Sequence, residues 1–308
     1  VSSPAASDFI RYLAAKKSLD DRSLNRQVWD ALIRVVRNRP ESAPLRVLEV
    51  GCGIGTMLER LLDWGLLSRV AYTGIEVEAE FIREARERLH RYAAEKRAVL
   101  TEAADGAMTM RASDAEVCVT LEAADFFDFM DRESEKSAWD LLIAHAFLDL
   151  IDLGTSLPRL LSLLVPGGCF YFTLNFDGAT LLEPPLDPDL DRRIEALYHQ
   201  TMDQRRRQGQ HAGSSVTGRR LLRHLREAGA HLLAAGSSDW VVFPGPDGYP
   251  GDEAFFLHFI IDTIGQALHG HPDLEKGIFR AWLAQRHHQI DSAELIYIAH
   301  QLDVMGYI

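Results

Sequence analysis

Gly51, Gly53 and Gly55 stand at alternate positions between an apolar run, Val47-Leu-Glu-Val50, and Thr56-Met-Leu58. A strand that turns through such glycines into a helix brings bare backbone close to a ligand, because no Cβ holds the chain away. That is the chemistry of a nucleotide-type cofactor loop. A dinucleotide fingerprint puts its third glycine one residue later, where Thr56 stands here, which weakens a nicotinamide-dependent oxidoreductase reading. Glu49, two residues before the first glycine, would repel a pyrophosphate but can accept hydrogen bonds from a cationic or hydroxylated ligand. A second acid, Glu76, lies at the end of the apolar run 70–77, 25 residues beyond Gly51. A carboxylate at the tip of a second strand can accept both hydroxyls of a ribose.

Further polar residues cluster after later strands. The run 139–146, Trp-Asp-Leu-Leu-Ile-Ala-His-Ala, reads as a buried strand, and strand carboxyl ends line the ligand crevice of an open α/β sheet. His145 is therefore a candidate general base, with Phe147 and Asp149 just beyond it, and His199 is a second candidate. Asn175 and Asp177 leave the end of an aromatic strand, 169–176, on the same side. They and Tyr198 are candidates for holding a substrate. Cys52, Cys118 and Cys169 form no Cys-x-x-Cys pair and read as small buried thiols. No Asp/Asn cluster compels a magnesium site, so no metal is expected.

Glu49-Val-Gly-Cys-Gly-Ile-Gly55 resembles the first motif of class I S-adenosylmethionine-dependent methyltransferases, an acid followed by three alternating glycines after a hydrophobic strand. The turn Leu164-Val-Pro-Gly-Gly168 before an aromatic strand is similar to that family as well. The resemblance implies a doubly wound, mostly parallel seven-stranded α/β sheet with an antiparallel edge strand. Its implied cofactor is S-adenosyl-L-methionine, held by Glu49, Gly51, Cys52, Gly53, Gly55, Thr56, Glu76, Val77 and His145. It also implies that an acid after the third strand contacts the adenine, with an apolar neighbour on the ring. Asp125 and Phe126 fit those parts, Asp128 competes, and helix capping is the alternative role for either acid. Where amino methyltransferases of nucleic acids carry an Asn-Pro-Pro-Tyr-like motif, this chain reads His145-Ala-Phe-Leu148. The expected reaction is in-line methyl transfer to a small polar molecule. A methyltransferase-fold protein that binds the cofactor without turnover, in a regulatory or scaffold role, is the alternative.

The elements that must position these residues follow from periodicity. With 308 residues, 47% of them hydrophobic, the chain can bury a full core and exceeds one catalytic core of this kind, so insertions are expected. Helical patterns at 57–67, 78–96 and 156–164 alternate with strands at 70–77, 117–121, 139–146 and 169–176, and a hairpin is expected within 98–115. The first 40 residues read as an amphipathic helical lid, and 41–308 as the methyltransferase domain. Cap insertions fall at about 177–216 and 244–292. Between them lie a helix, 217–227, whose expected N-cap is Thr217, and a broken sixth strand within 231–243. The seventh strand is expected at 294–300. A net charge of −12 argues against a nucleic-acid partner. No apolar run reaches membrane-spanning length, and the first residues lack the pattern of a signal peptide, so the expected compartment is the cytoplasm without a membrane partner. No sequence feature fixes an oligomeric state.

Overall fold

The computed structural model describes residues 6–39, 43–66, 69–112, 115–133, 137–207 and 210–308. The ends of two expected segments, residue 67 of the first crossover helix and residues 1–5 and 40 of the amino-terminal segment, lie outside the described residues, as do 113–114 of the hairpin region and 208–209 of the first insertion. Three helices open the chain: α1 (Ala6–Ala15), α2 (Lys17–Ser23) and α3 (Arg26–Arg37). The sheet-forming part follows as β1 (Leu45–Val50), α4 (Thr56–Asp63), β2 (Arg69–Glu76), α5 (Ala79–Glu95), β3 (Val99–Glu102), β4 (Met108–Arg111), β5 (Glu116–Ala123), α6 (Phe126–Glu133), β6 (Trp139–His145), α7 (Leu153–Leu161) and β7 (Leu164–Glu183). The remainder is α8 (Pro188–Asp203), the short strands β8 (Arg206–Arg207) and β9 (Gln210–His211), α9 (Thr217–Glu227), β10 (His231–Ser237), β11 (Trp240–Val242), α10 (Glu253–Ala267), α11 (Lys276–Asp291) and β12 (Ile296–Tyr307).

One sheet runs in the order β10-β12-β7-β6-β1-β2-β5-β4-β3, with β11 on the other part of β12. Its centre, β5-β2-β1-β6-β7, is parallel, and both flanks are antiparallel. The fold is the expected α/β class, with ten strands rather than seven. The additions are the β3-β4 hairpin, which extends the β5 edge, and the splitting of the sixth strand into β10 and β11. The order reverses between β1 and β6, which opens the crevice where the glycine turn lies.

Alternate residues of β1 supply the two sides of the core, as period-two side-chain direction requires. Leu45 and Val47 pack with α3, α4 and α5, whereas Leu48 and Val50 pack with α6, α7 and α9. A third cluster, built from α8, α10, α11 and residues of α1 and α2, covers the carboxyl ends of the strands. The same alternation corrects one expectation. Val117, Val119 and Leu121 of β5 point inward, so Cys118 between them is exposed, while Cys52 and Cys169 are buried.

Strand β7 is far longer than expected, because β12 pairs with it from Cys169 to Glu183. The first insertion is thus partly sheet. β12 likewise continues past His300 to Tyr307, paired with β10 on its other edge. α9 begins at Thr217 with Val216 as its N-cap, so Thr217 is not the cap. Asp177 serves that end from a distance, its Oδ1 accepting from the Arg219 amide at 2.8 Å. Among the described residues no helix is long and apolar enough to cross a membrane.

Candidate functional site

The turn after β1 is shaped by its glycines. Gly51, Gly53 and Gly55 have φ of +66°, +52° and +79°, a region that costs an L side chain about 1–2 kcal/mol. They face different neighbours. A Cβ on Gly51 would lie 2.4 Å from the Phe147 ring, and one on Gly55 would lie 3.4 Å from Ala85 of α5. One on Gly53 would meet Leu13 Cδ1 of α1 at 3.5 Å, an ordinary contact. Of the three, only Gly51 would clash with the protein on gaining a Cβ, and Gly51 and Gly53 line the cavity described below.

Glu76 buttresses this turn. Its Oε2 accepts from the Gly53 amide at 3.1 Å, and its Oε1 accepts from Val77 and Glu78 at 2.8 and 3.3 Å. A carboxylate offers about four acceptor sites, so main-chain amides fill three and leave room for one further donor rather than two. Burial raises its pKa, against the pull of those amides. Glu49 is buried beside the turn and accepts from the Tyr72 hydroxyl. Burial pushes its carboxyl up to about 8, opposed by Tyr72 and Arg60 and assisted by Glu76. A protonated Glu49 carboxyl at neutral pH is poised to ionise against an arriving cation.

The turn opens into a cavity of about 420 Å³ under the third core cluster, within the range of small-molecule sites. Of the residues singled out in the sequence, Glu49, Gly51, Cys52, Gly53, Thr56, Glu76, Val77, His145, Phe147, Asp149 and Tyr198 line it. Gly55, Asp125, Phe126, Asn175, Asp177 and His199 do not. Asp125 instead accepts from the Phe127 amide at 2.8 Å at the start of α6, the capping alternative, and Phe126 is buried against Phe127 and Phe147. Asn175 is fully buried and donates to the Leu302 carbonyl at 2.8 Å. Asp177 pairs with Arg219. His199 lies beside the cavity wall, 3.0 Å from Thr180 Oγ1, and burial lowers its pKa despite Glu195 and Asp203.

His145 sits inside a buried network that sequence reading did not find. Asp20 of α2 accepts from Lys16 Nζ at 2.8 Å, from Trp240 Nε1 at 3.0 Å and from His145 Nε2 at 3.1 Å. His145 Nδ1 lies 2.7 Å from Thr173 Oγ1. An ionised Asp20 can only accept, so His145 carries its proton on Nε2 and accepts the Thr173 hydroxyl proton at Nδ1. Both ring nitrogens are engaged, which leaves no lone pair aimed at a substrate. Burial pulls His145 down to about 4, although Asp20 opposes this. Burial would raise Asp20, but Lys16, His145 and Arg60 together hold it well below the usual carboxylate range.

The pH consequence has a definite sign. Unfolded His145 binds a proton as pH falls through its ordinary 6.5, whereas the folded residue stays neutral until about 4. Stability is therefore expected to fall as pH drops through that window, by something on the order of 3 kcal/mol. Urea unfolding at pH 7 and pH 5 should show the loss in the natural protein and a smaller one in His145→Asn; equal losses would remove His145 as its source.

The far wall was only partly legible. Tyr198 was singled out, but Tyr12, Lys16, Trp240, Tyr297 and Gln301 also line the cavity. The signal for two of these was present in period two: Tyr297, Ala299 and Gln301 alternate along β12 and all face inward. Among the described residues no group of three or more histidine, cysteine or acidic residues could hold a metal ion.

No protein-family pattern matches the sequence, and no curated protein matches it. Among solved structures the chain is similar to a SAM-dependent methyltransferase from Thiobacillus denitrificans in complex with S-adenosyl-L-homocysteine, at 15% identity and a TM-score of 0.43 over 91% of this chain and 92% of that one. It is also similar to geranyl diphosphate C-methyltransferase from Streptomyces coelicolor A3(2), at 13% identity and 0.40 over 90% and 77%. A third similar structure is the [4+2]-cyclase SpnF, at 16% identity and 0.38 over 90% and 80%.

Proposed function

We propose that the protein binds S-adenosylmethionine at the glycine turn and transfers its methyl group to a small polar molecule held in the far half of the same cavity. The observation that carries this reading is the continuity of one cavity from Gly53, Glu76 and Glu49 to the carboxyl end of β6 and the wall beyond. The residues fit the cofactor. Gly53 presents backbone to the cavity, Glu76 keeps one acceptor site, and Glu49 is a buried carboxyl suited to a cationic ligand.

Bound there, S-adenosylmethionine supplies a methyl group already activated by its sulfonium. The chain's part is to orient an acceptor and exclude water. Neutral His145, fixed between Asp20 and Thr173, shapes the floor rather than removing a proton. Apolar and aromatic residues, Phe147, Leu174, Phe176 and Ile260 among them, keep the reacting region dry.

Titration calorimetry against S-adenosylmethionine, S-adenosylhomocysteine and NADH tests the donor. Binding of the first two alone is expected, and binding of NADH alone would overturn the reading. Transfer of labelled methyl to any small acceptor separates an enzyme from a protein that binds the cofactor without turnover. Glu76→Ala is expected to weaken S-adenosylhomocysteine binding about tenfold, or about 1.4 kcal/mol, since one ligand hydrogen bond and the brace on Gly53 are both lost. Unchanged affinity would take Glu76 out of the site.

A further inference from the structure

Two residues of the cavity lining, Asp149 and Gln301, each carry a buried side-chain oxygen with no hydrogen-bond partner among the described residues, Oδ1 and Oε1 respectively. Buried acceptors are satisfied in the great majority of proteins, so an unsatisfied pair in one cavity calls for a donor that is not part of the chain. Gln301 is 3% exposed, and its backbone is pinned on both sides. Its amide donates to Asp239 Oδ1 at 3.2 Å, and its carbonyl accepts from Ser238 at 2.9 Å. Asp149 lies on the segment after β6, immediately beyond the floor residues His145 and Phe147.

The surroundings are aromatic. Phe256 of α10 anchors a cluster in which Tyr12 stacks on it at 5.6 Å, Trp240 meets it edge-on at 5.3 Å and Tyr297 lies at 6.1 Å. Tyr12, Trp240 and Tyr297 all line the cavity, and so does Tyr198. Such ring faces attract cations. Lys16, the ammonium in the lining, is already neutralised by Asp20 at 2.8 Å. Arg205 is close enough to lower the Asp149 pKa, yet burial outweighs it and the carboxyl is raised.

We propose that the deep half of the cavity is a subsite for a primary or secondary amine, whose N–H groups donate to Asp149 and Gln301 while its body lies against the aromatic wall. An ammonium group is all donor and no acceptor, which matches two acceptor oxygens better than a hydroxyl does, and a carboxylate or phosphate would meet only repulsion from them. As the methyl acceptor, which rests on the methyl-transfer reading above, the ammonium first passes a proton to the Asp149 carboxylate, freeing the lone pair that attacks the sulfonium methyl as S-adenosylhomocysteine leaves; the subsite itself does not rest on that reading.

Calorimetry of the full chain, with and without saturating S-adenosylhomocysteine, tests it with butylamine, benzylamine and phenethylamine, each set against the matching alcohol and carboxylate. At least one amine is expected to bind tenfold or more tightly than its matched alcohol and carboxylate. Asp149→Asn should weaken that amine at least tenfold without changing S-adenosylhomocysteine affinity, and Gln301→Glu should tighten it severalfold. No amine binding, equal binding of the alcohols, or amine affinity indifferent to both substitutions would overturn the subsite. If S-adenosylhomocysteine fails to bind while the amines behave as stated, the donor reading falls and the subsite stands. If S-adenosylhomocysteine binds and no amine does, the subsite alone falls.

Discussion

Asp20→Ala is expected to cost about 3–5 kcal/mol of folding stability, the penalty for leaving a buried charge without its counterion. Asp20 is fully buried and Lys16 is 5% exposed, so the ammonium left behind would lose its ion-pair partner at a site with little access to bulk water. His145 Nε2 and Trp240 Nε1 would lose their acceptor as well. The effect should appear as a lower urea midpoint. Adding Lys16→Met to Asp20→Ala should recover much of the loss, because the orphaned charge rather than the missing pair is the main expense. A single mutant within 1 kcal/mol of the natural protein would show that the network is not dry. The carboxylate's contribution is present above the ordinary carboxylate pKa, and is lost as pH falls toward its depressed folded value.

The second large effect is on binding. Gly53→Val is expected to reduce S-adenosylhomocysteine affinity at least a hundredfold, about 2.7 kcal/mol, with far-UV circular dichroism unchanged. A β-branched residue at φ +52° is strained, and its methyl groups would enter the gap between the turn and Leu13 of α1. That gap belongs to the cavity rather than to the core, so the fold is spared. Gly51 differs, because its substitution drives the Phe147 ring and so disturbs packing before it disturbs a ligand. A Gly53→Val protein that binds normally would refute the assignment of Gly53 to the ligand's approach.

What the sequence made legible follows from how local each signal is. β1, the glycine turn, Glu76 and β6 are set by patterns within a few residues, and they fall where the patterns put them. The lengths of β7 and β12 are set by each other. Asp177-Gly178 reads as the end of a strand, yet the chain continues as one because β12 supplies hydrogen bonds on either side of an irregularity there. Asp177 and Asn175 leave the site for the same reason, one drawn to the start of α9 and the other to the Leu302 carbonyl. The partner of His145 was hidden by distance, since Asp20 is 125 residues away in sequence. Asp125 shows the opposite case, a local signal, since its side chain accepts from the Phe127 amide at the start of α6 as a capping acid would.

The cavity takes its lining from Phe9 at one end of the chain to Gln301 near the other, so no contiguous stretch owns it. An occupant that touches both α1 and β12 withdraws population from states in which either element has peeled away. The free energy of that withdrawal grows as RT ln(1 + [L]/Kd). Amide protons in α1 and in β12, far apart in sequence, should slow their exchange with solvent together as ligand is added, which makes the cavity a clasp that closes the chain on itself.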